Sequence, residues 1–175
     1  MDAAHFVLAP FLGYLWSRTR LWLKAPSGRQ RLNVLGALNA VTHELITIIN
    51  DTYINSQSVC DLLRKIADLN LMMPVTLVLD NARYQRSKLA QQLAEALQIE
   101  LLFLPPYSPN LNLIERLWKF VKKQCLYSRY YAEFSTFRTA IINCLKKTHS
   151  TYKSQLDSLL TLEFQTFKKS QFVSL

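Results

Sequence analysis

The sequence predicts an α/β domain with a mixed sheet, and three stretches carry that prediction. Val75 to Leu79 is an unbroken β-branched and apolar run. It is too short for a helix and predicts a strand buried on both faces that ends at Asp80. Ile99 to Leu104, interrupted only by Glu100, predicts the neighbouring strand. It stops at Pro105, Pro106 and Pro109, residues that cannot donate to a ladder. From Asn112 to Lys123, apolar Leu113, Ile114, Leu117, Trp118 and Val121 recur at the spacing of one helix face. Asp80 therefore stands at the carboxyl tip of a central strand, and Glu115 in the first turn of the helix after the next strand. In an open α/β sheet that edge is where ligands bind.

The remaining elements follow from the same periodicities. Ala3 to Leu8, Arg31 to Ala40 and Leu45 to Ile49 predict three strands, the last two joined by a hairpin turn at Val41 to Glu44. Asn55 or Ser56 caps a helix whose apolar face is Val59, Leu62, Leu63, Ile66 and Leu69, and Pro74 closes that unit. Ser87 to Leu97 predicts a helix that crosses, right-handed, from the fourth strand to the fifth. Phe134 to Lys147 is amphipathic through Phe134, Phe137, Ile141, Cys144 and Leu145, and Ser154 to Leu162 predicts a last helix.

Composition narrows the function classes. The 175 residues are half hydrophobic and hold no low-complexity tract or internal repeat, as expected of one globular domain with a real core. No apolar stretch reaches the roughly 18 residues that span a bilayer. The first residues lack the basic segment and apolar core of a secretory signal, so the cytoplasm is the expected location and no membrane partner is expected. Cys60, Cys125 and Cys144 lie far apart, as reduced core residues do. His5, His43 and His149 are scattered, which argues against zinc. The formal charge is +9, with 11 Lys or Arg against 3 Asp or Glu from Arg116 onward. A second basic cluster, Arg18, Arg20, Lys24, Arg29 and Arg31, is interleaved with Trp16, Leu21 and Trp22. Basic surface beside aromatics fits a phosphate-backbone partner, against the plain alternative of solvated helix faces.

Two carboxylates at one sheet edge suit Mg²⁺ or Mn²⁺, which take hard oxygen ligands. Each also has an ordinary reading. Asp80-Asn81 is a turn-forming pair, and Glu115 is placed to complete a capping box with Asn112 and to pair with Lys119 on a solvated face.

The phrases VTLVLDNARYQ (75–85) and LFLPPYSPNLNLIERLWKFVKK (102–123) resemble the second and third catalytic blocks of DDE transposases of the mariner-like bacterial insertion-sequence group. The 34 residues between Asp80 and Glu115 match that group's spacing. Met1-Asp2-Ala3-Ala4-His5-Phe6 resembles its first block, an Asp on the first strand with a His shortly after.

The resemblance implies a ribonuclease-H-like (retroviral-integrase-like) fold, a mixed five-stranded sheet flanked by helices. It implies Asp2, Asp80 and Glu115 as catalytic residues holding two divalent ions, Mg²⁺ or Mn²⁺, about 4 Å apart for in-line displacement at phosphorus. His5 would line the site, Asn81 would orient Asp80 or bind a metal-bound water, and Asn112 would support the Glu115 helix. Gln85, near where relatives often carry a His, would donate to a phosphate without acid–base work. Arg18, Arg20, Lys24, Arg29, Arg31, Lys119, Lys122 and Lys123 would hold double-stranded DNA, both element ends and target. The protein would act as a homodimer on DNA at the nucleoid, with no small-molecule cofactor.

One departure stands out: only Met1 precedes Asp2. The expectation is a catalytic domain over 1–150 with a truncated first strand, then a basic helix and tail over 151–175. The same expectation leaves out the helix-turn-helix region of full-length relatives, as in a split-frame product or decaying copy. A host nuclease or resolvase of the same fold, and an inactive DNA-binding remnant, remain the alternatives.

Overall fold

Strands β1 (Asp2–Val7), β2 (Arg31–Leu38) and β3 (Leu45–Asn50) lie side by side in that order, all antiparallel. The structure is a computed structural model and describes residues 1–8, 18–20, 22, 30–106 and 108–164. Asp2 is registered opposite Gly36 and Val7 opposite Arg31, while Leu38 of β2 faces Leu45 of β3. The hairpin is held by Asn39, whose side-chain oxygen accepts from the Val41 and Thr42 amides at 2.8 and 3.0 Å. That Asn turn ends β2 at Leu38, two residues before the apolar run itself stops.

Helix α1 (Ser56–Ala67) starts at a capping box between Asn55 and Ser58. Strand β4 (Val75–Leu79), helix α2 (Lys88–Ala96, capped by Ser87) and strand β5 (Ile99–Phe103) form a parallel crossover unit, Val75 level with Ile99 and Leu79 with Phe103. A single 3₁₀ turn at Pro109–Leu111 leads into α3 (Ile114–Cys125), followed by α4 (Phe134–Lys146) and the short α5 (Lys153–Leu159).

Side-chain alternation along the strands builds two cores. Ala4, Phe6, Leu32 and Val34 face α3, α4 and α5, packing on Leu117, Trp118, Val121, Phe137, Ile141 and Leu156. Leu35 and Ala37 face the other way, onto Val59, Leu62 and Leu63 of α1, Ala90 of α2, and Leu77 and Leu79 of β4. The C-terminal residues from 153 join the first core through Leu156 and Leu160. His43 of the hairpin meets Asp157 at 2.9 Å and the Leu160 carbonyl at 3.1 Å.

The expected five-stranded sheet is not continuous. The described residues form a three-stranded sheet, β1-β2-β3, and a separate two-stranded one, β4-β5. The physical reason is the length of the overlap. Met1 donates its amino nitrogen to the Val78 carbonyl at 2.6 Å, and β4 ends one residue later at Leu79. One bond does not make a ladder.

Candidate active site

Asp2 lies on the face of β1 that also carries Ala4 and Phe6, the face that α3 covers. Its cross-strand neighbour is Gly36. A Cβ there would stand 2.8 Å from Trp118 Cη2 and 3.2 Å from Ile114 Cδ1, so only a glycine lets the first turns of α3 sit down on β2. Trp118 then meets Phe6 edge-on, with ring centroids 6.4 Å apart. Buried Asn112 donates its side-chain amide to the Met1 carbonyl at 3.3 Å, which ties the approach of α3 to the residue before Asp2. Met1 is thus bonded to β4 through its nitrogen and to the segment leading into α3 through its oxygen, which brings both elements to Asp2.

The electrostatics report the same convergence. Asp2, 8% exposed, has its carboxyl pushed up to about 6, first by burial and then by the negative charges of Glu115 and Asp80, against a hydrogen bond from the Ala3 backbone. Burial pushes the Met1 amine down to about 6, opposed by the attraction of Asp2 and Asp80. The Tyr84 phenol is pushed up by burial and then by the charges of Asp80 and Asp2.

The two ordinary readings fare differently. Asp80 does make a turn, its Oδ1 accepting from the Ala82 amide at 3.2 Å. Glu115 does not complete a capping box: α3 begins after Leu113, itself helical in backbone, with no side-chain cap. Among the described residues, no ion pair joins Glu115 to Lys119.

Three expected roles do not match the geometry. His5 is an odd number of residues from Asp2 along a strand, so it lies on the opposite face, exposed and 2.6 Å from Asn33 Oδ1. It does not line the site. Asn81 donates to the Leu104 carbonyl at 2.6 Å and accepts from Arg86, so it clamps the ends of β4 and β5 together and does not orient Asp80. Gln85 is wholly buried in the turn after β4 and cannot reach a phosphate.

The basic residues divide by location. Lys119 and Lys122 share a helix face with Glu115, and Lys123 flanks it; Lys119 and Lys123 are exposed and Lys122 is half-buried. Arg18 and Arg20 are exposed, Arg20 lying 4.6 Å over the ring of Trp22. Arg31 is exposed over Tyr53 at the far end of β1, five residues from Asp2's level and so about 17 Å away. Lys24 and Arg29 lie outside the described residues.

Three contributors escaped sequence reasoning. Gly36 carried a usable signal, a glycine inside a strand pattern marking close backbone approach. Arg86 carried none: it stacks on Phe103 at 4.8 Å and bonds Asn81. Arg116, counted with the basic surface, instead donates to the Leu159, Thr161 and Glu163 carbonyls at 3.3, 2.8 and 2.8 Å and holds the chain after α5.

Among the described residues, no three His, Cys, Asp or Glu side chains close tightly enough to enclose a metal ion. The donor chemistry nevertheless fits a hard divalent cation: the groups are all oxygen, and the Asp2 carboxyl, pushed up first by burial and then by the charges of Glu115 and Asp80, is one whose ionised form a dication would favour. No helix among the described residues is long and apolar enough to cross a membrane.

Comparison with known proteins places the chain. A search of curated proteins by sequence finds no match. Among solved structures, it is similar to the Mos1 transposase in its paired-end complex with the left transposon end, with a TM-score of 0.58 and 13% identity over 93% of this chain and 55% of that one. It is also similar to a chain of the simian T-cell lymphotropic virus intasome bound to the PP2A regulatory subunit B56 gamma, with a TM-score of 0.56 and 18% identity over 86% of this chain and 47% of that one. At these identities the likeness is one of fold, the ribonuclease-H-like α/β architecture, and this chain spans about half the length of each. The family model of the DDE superfamily endonuclease matches residues 1–138, a stretch that contains Asp2, Asp80 and Glu115. This chain belongs to the DDE superfamily endonucleases.

Proposed function

We propose that this chain is the catalytic domain of a transposase that cleaves and joins DNA strands at the ends of a mobile element. The observation that carries the reading is the match of the DDE superfamily endonuclease model to residues 1–138, which hold Asp2 on β1, Asp80 just after β4 and Glu115 on α3; the charges of Glu115 and Asp80 acting on the buried Asp2 carboxyl support it. Asp2, Asp80 and Glu115 would hold two divalent ions, Mg²⁺ or Mn²⁺. Bound there, such ions supply activation of the attacking hydroxyl and stabilisation of the leaving oxygen. The rest falls to the chain's own residues. Asp2 and Glu115 are set against one another by Gly36 and Asn112, which fix how closely α3 approaches β1. Lys119, Lys122 and Lys123, with the exposed Arg18, Arg20 and Arg31, offset the repulsion between the carboxylates and a DNA backbone. The partner is double-stranded DNA, both element ends and target, bound by a homodimer at the nucleoid, with residues 1–150 forming the catalytic domain and 151–175 a basic helix and tail.

The test is strand cleavage with Mg²⁺ on element-end, branched and hybrid DNA. Asp80→Asn and Glu115→Gln each preserve volume and remove a ligand oxygen. Each is expected to lower cleavage by more than about a hundredfold, beyond the effect of losing a residue that only supports a ligand, with DNA affinity nearly unchanged. Cleavage by either variant at close to the parent rate would refute the metal-site reading, and a preference for branched or hybrid DNA would refute the transposase.

A further inference from the structure

The carboxyl edge of β4 and β5 carries a cation that the site described above leaves without a task. Arg86 lies in the turn after β4, exposed, one residue before the Ser87 cap of α2. A long exposed side chain ordinarily keeps its rotamer freedom, yet this one is held from two sides. Its guanidinium stands 4.8 Å over the ring of Phe103, the last residue of β5, and it donates to Asn81 Oδ1. Asn81 is itself fixed, its amide spent on the Leu104 carbonyl at 2.6 Å. Phe103 is level with Leu79, so the guanidinium is anchored where β4 gives way to Asp80. Among the described residues no carboxylate pairs with Arg86. A guanidinium carries five N–H donors in a rigid fork, and Asn81 takes one.

We propose that Arg86 is a substrate-positioning residue that seats one phosphate of the DNA strand as it passes over the sheet edge at Asp80. The inference rests on the DNA reading given above and adds to it the place where the strand is gripped. Phe103 packs with Leu77 and Leu79 in the core that α2 covers, whereas α3, with Glu115 and its lysines, packs in the other core. Lys119 to Lys123 and Arg86 therefore flank the carboxylates from the two sides of the sheet. A polyanion repelled by those carboxylates and held on one flank alone would pivot away from them. A second grip on the α2 side fixes its course. The fork of an arginine suits that task, since it takes two phosphate oxygens at once and sets an orientation that a point charge does not. Stacking on Phe103 and bonding to Asn81 order the group before DNA arrives, so little freedom is lost on binding.

The test uses Arg86→Gln and Arg86→Lys in the full chain, with duplex binding followed by fluorescence anisotropy across a salt series, thermal melting, and cleavage with Mg²⁺. Arg86→Gln is expected to weaken binding roughly three- to tenfold and to lower the slope of log affinity against log salt by about one, with the melting temperature close to the parent's. Arg86→Lys keeps the charge and loses the fork, so it is expected to retain the parent's salt slope and to lower cleavage more than affinity. A parent-like salt slope in Arg86→Gln would overturn the proposal; joined to a lowered melting temperature, it would make Arg86 a strut for Asn81. Duplex binding by the parent that does not respond to salt would instead refute the DNA reading, and this proposal with it.

Discussion

Asp2 is a carboxylate held at a stability cost. Its carboxyl stands at about 6 in the folded chain against 3.8 ordinarily, so between those values the folded state binds the proton that the unfolded state has released. Stability from this group is therefore greatest below about pH 4, falls as the pH rises to about 6, and above that carries the full penalty, on the order of 3 kcal/mol. Asp2→Asn removes a charge and keeps the shape. Thermal melts are expected to show the variant several degrees more stable than the parent at pH 7.5 and indistinguishable from it at pH 4. A difference independent of pH would mean that Asp2 is not held in electrostatic strain. The neighbouring Asn81 illustrates the opposite use of a polar group, its amide spent on tying two strand ends together.

Helix α3 carries the site because of how it lands. Its buried residues, Ile114, Leu117, Trp118, Phe120, Val121 and Cys125, cover more than one stripe, since Phe120 packs edge-on against Tyr152 with centroids 5.3 Å apart. Its height above β2 is set by Gly36. Gly36→Ala puts a methyl group into the Trp118 ring, and overpacking of this kind costs about 1–3 kcal/mol. The expected outcome is a lowered melting temperature together with a loss of cleavage larger than the loss of DNA affinity, because Glu115 moves with the helix. Trp118→Phe added to Gly36→Ala is expected to recover part of both. Unchanged stability in the single variant would show that α3 does not press on the strand.

Across the whole molecule, a +9 chain surrounds a negative centre. Under the proposed function, Arg31, at the far end of β1 from Asp2, and the Lys119 to Lys123 face of α3 would spread binding along a backbone. With about five phosphate contacts, affinity is expected to fall roughly 10²–10³-fold between 50 and 200 mM salt, with weak sequence preference. Fluorescence anisotropy on two unrelated duplexes across that range measures both. A flat salt response, or tight preference for one duplex, would contradict phosphate-based binding.

The sequence by itself determined the elements and their order, because apolar periodicity and prolines act over a few residues: β4 ending just before Asp80, the proline elbow, α3 and its Glu115. It also determined the family, since the two blocks around Asp80 and Glu115 are long and correctly spaced. Only the tertiary structure decided what those elements do to one another. His5 fell on the opposite face through strand parity, and Asn112 tethers Met1 where the ordinary reading made it a cap. Arg116 turned inward to three carbonyls, and the sheet divided because a single bond joins β1 to β4. Each of these depends on a partner tens of residues away, and local pattern carries no record of such a partner until the chain has folded onto it.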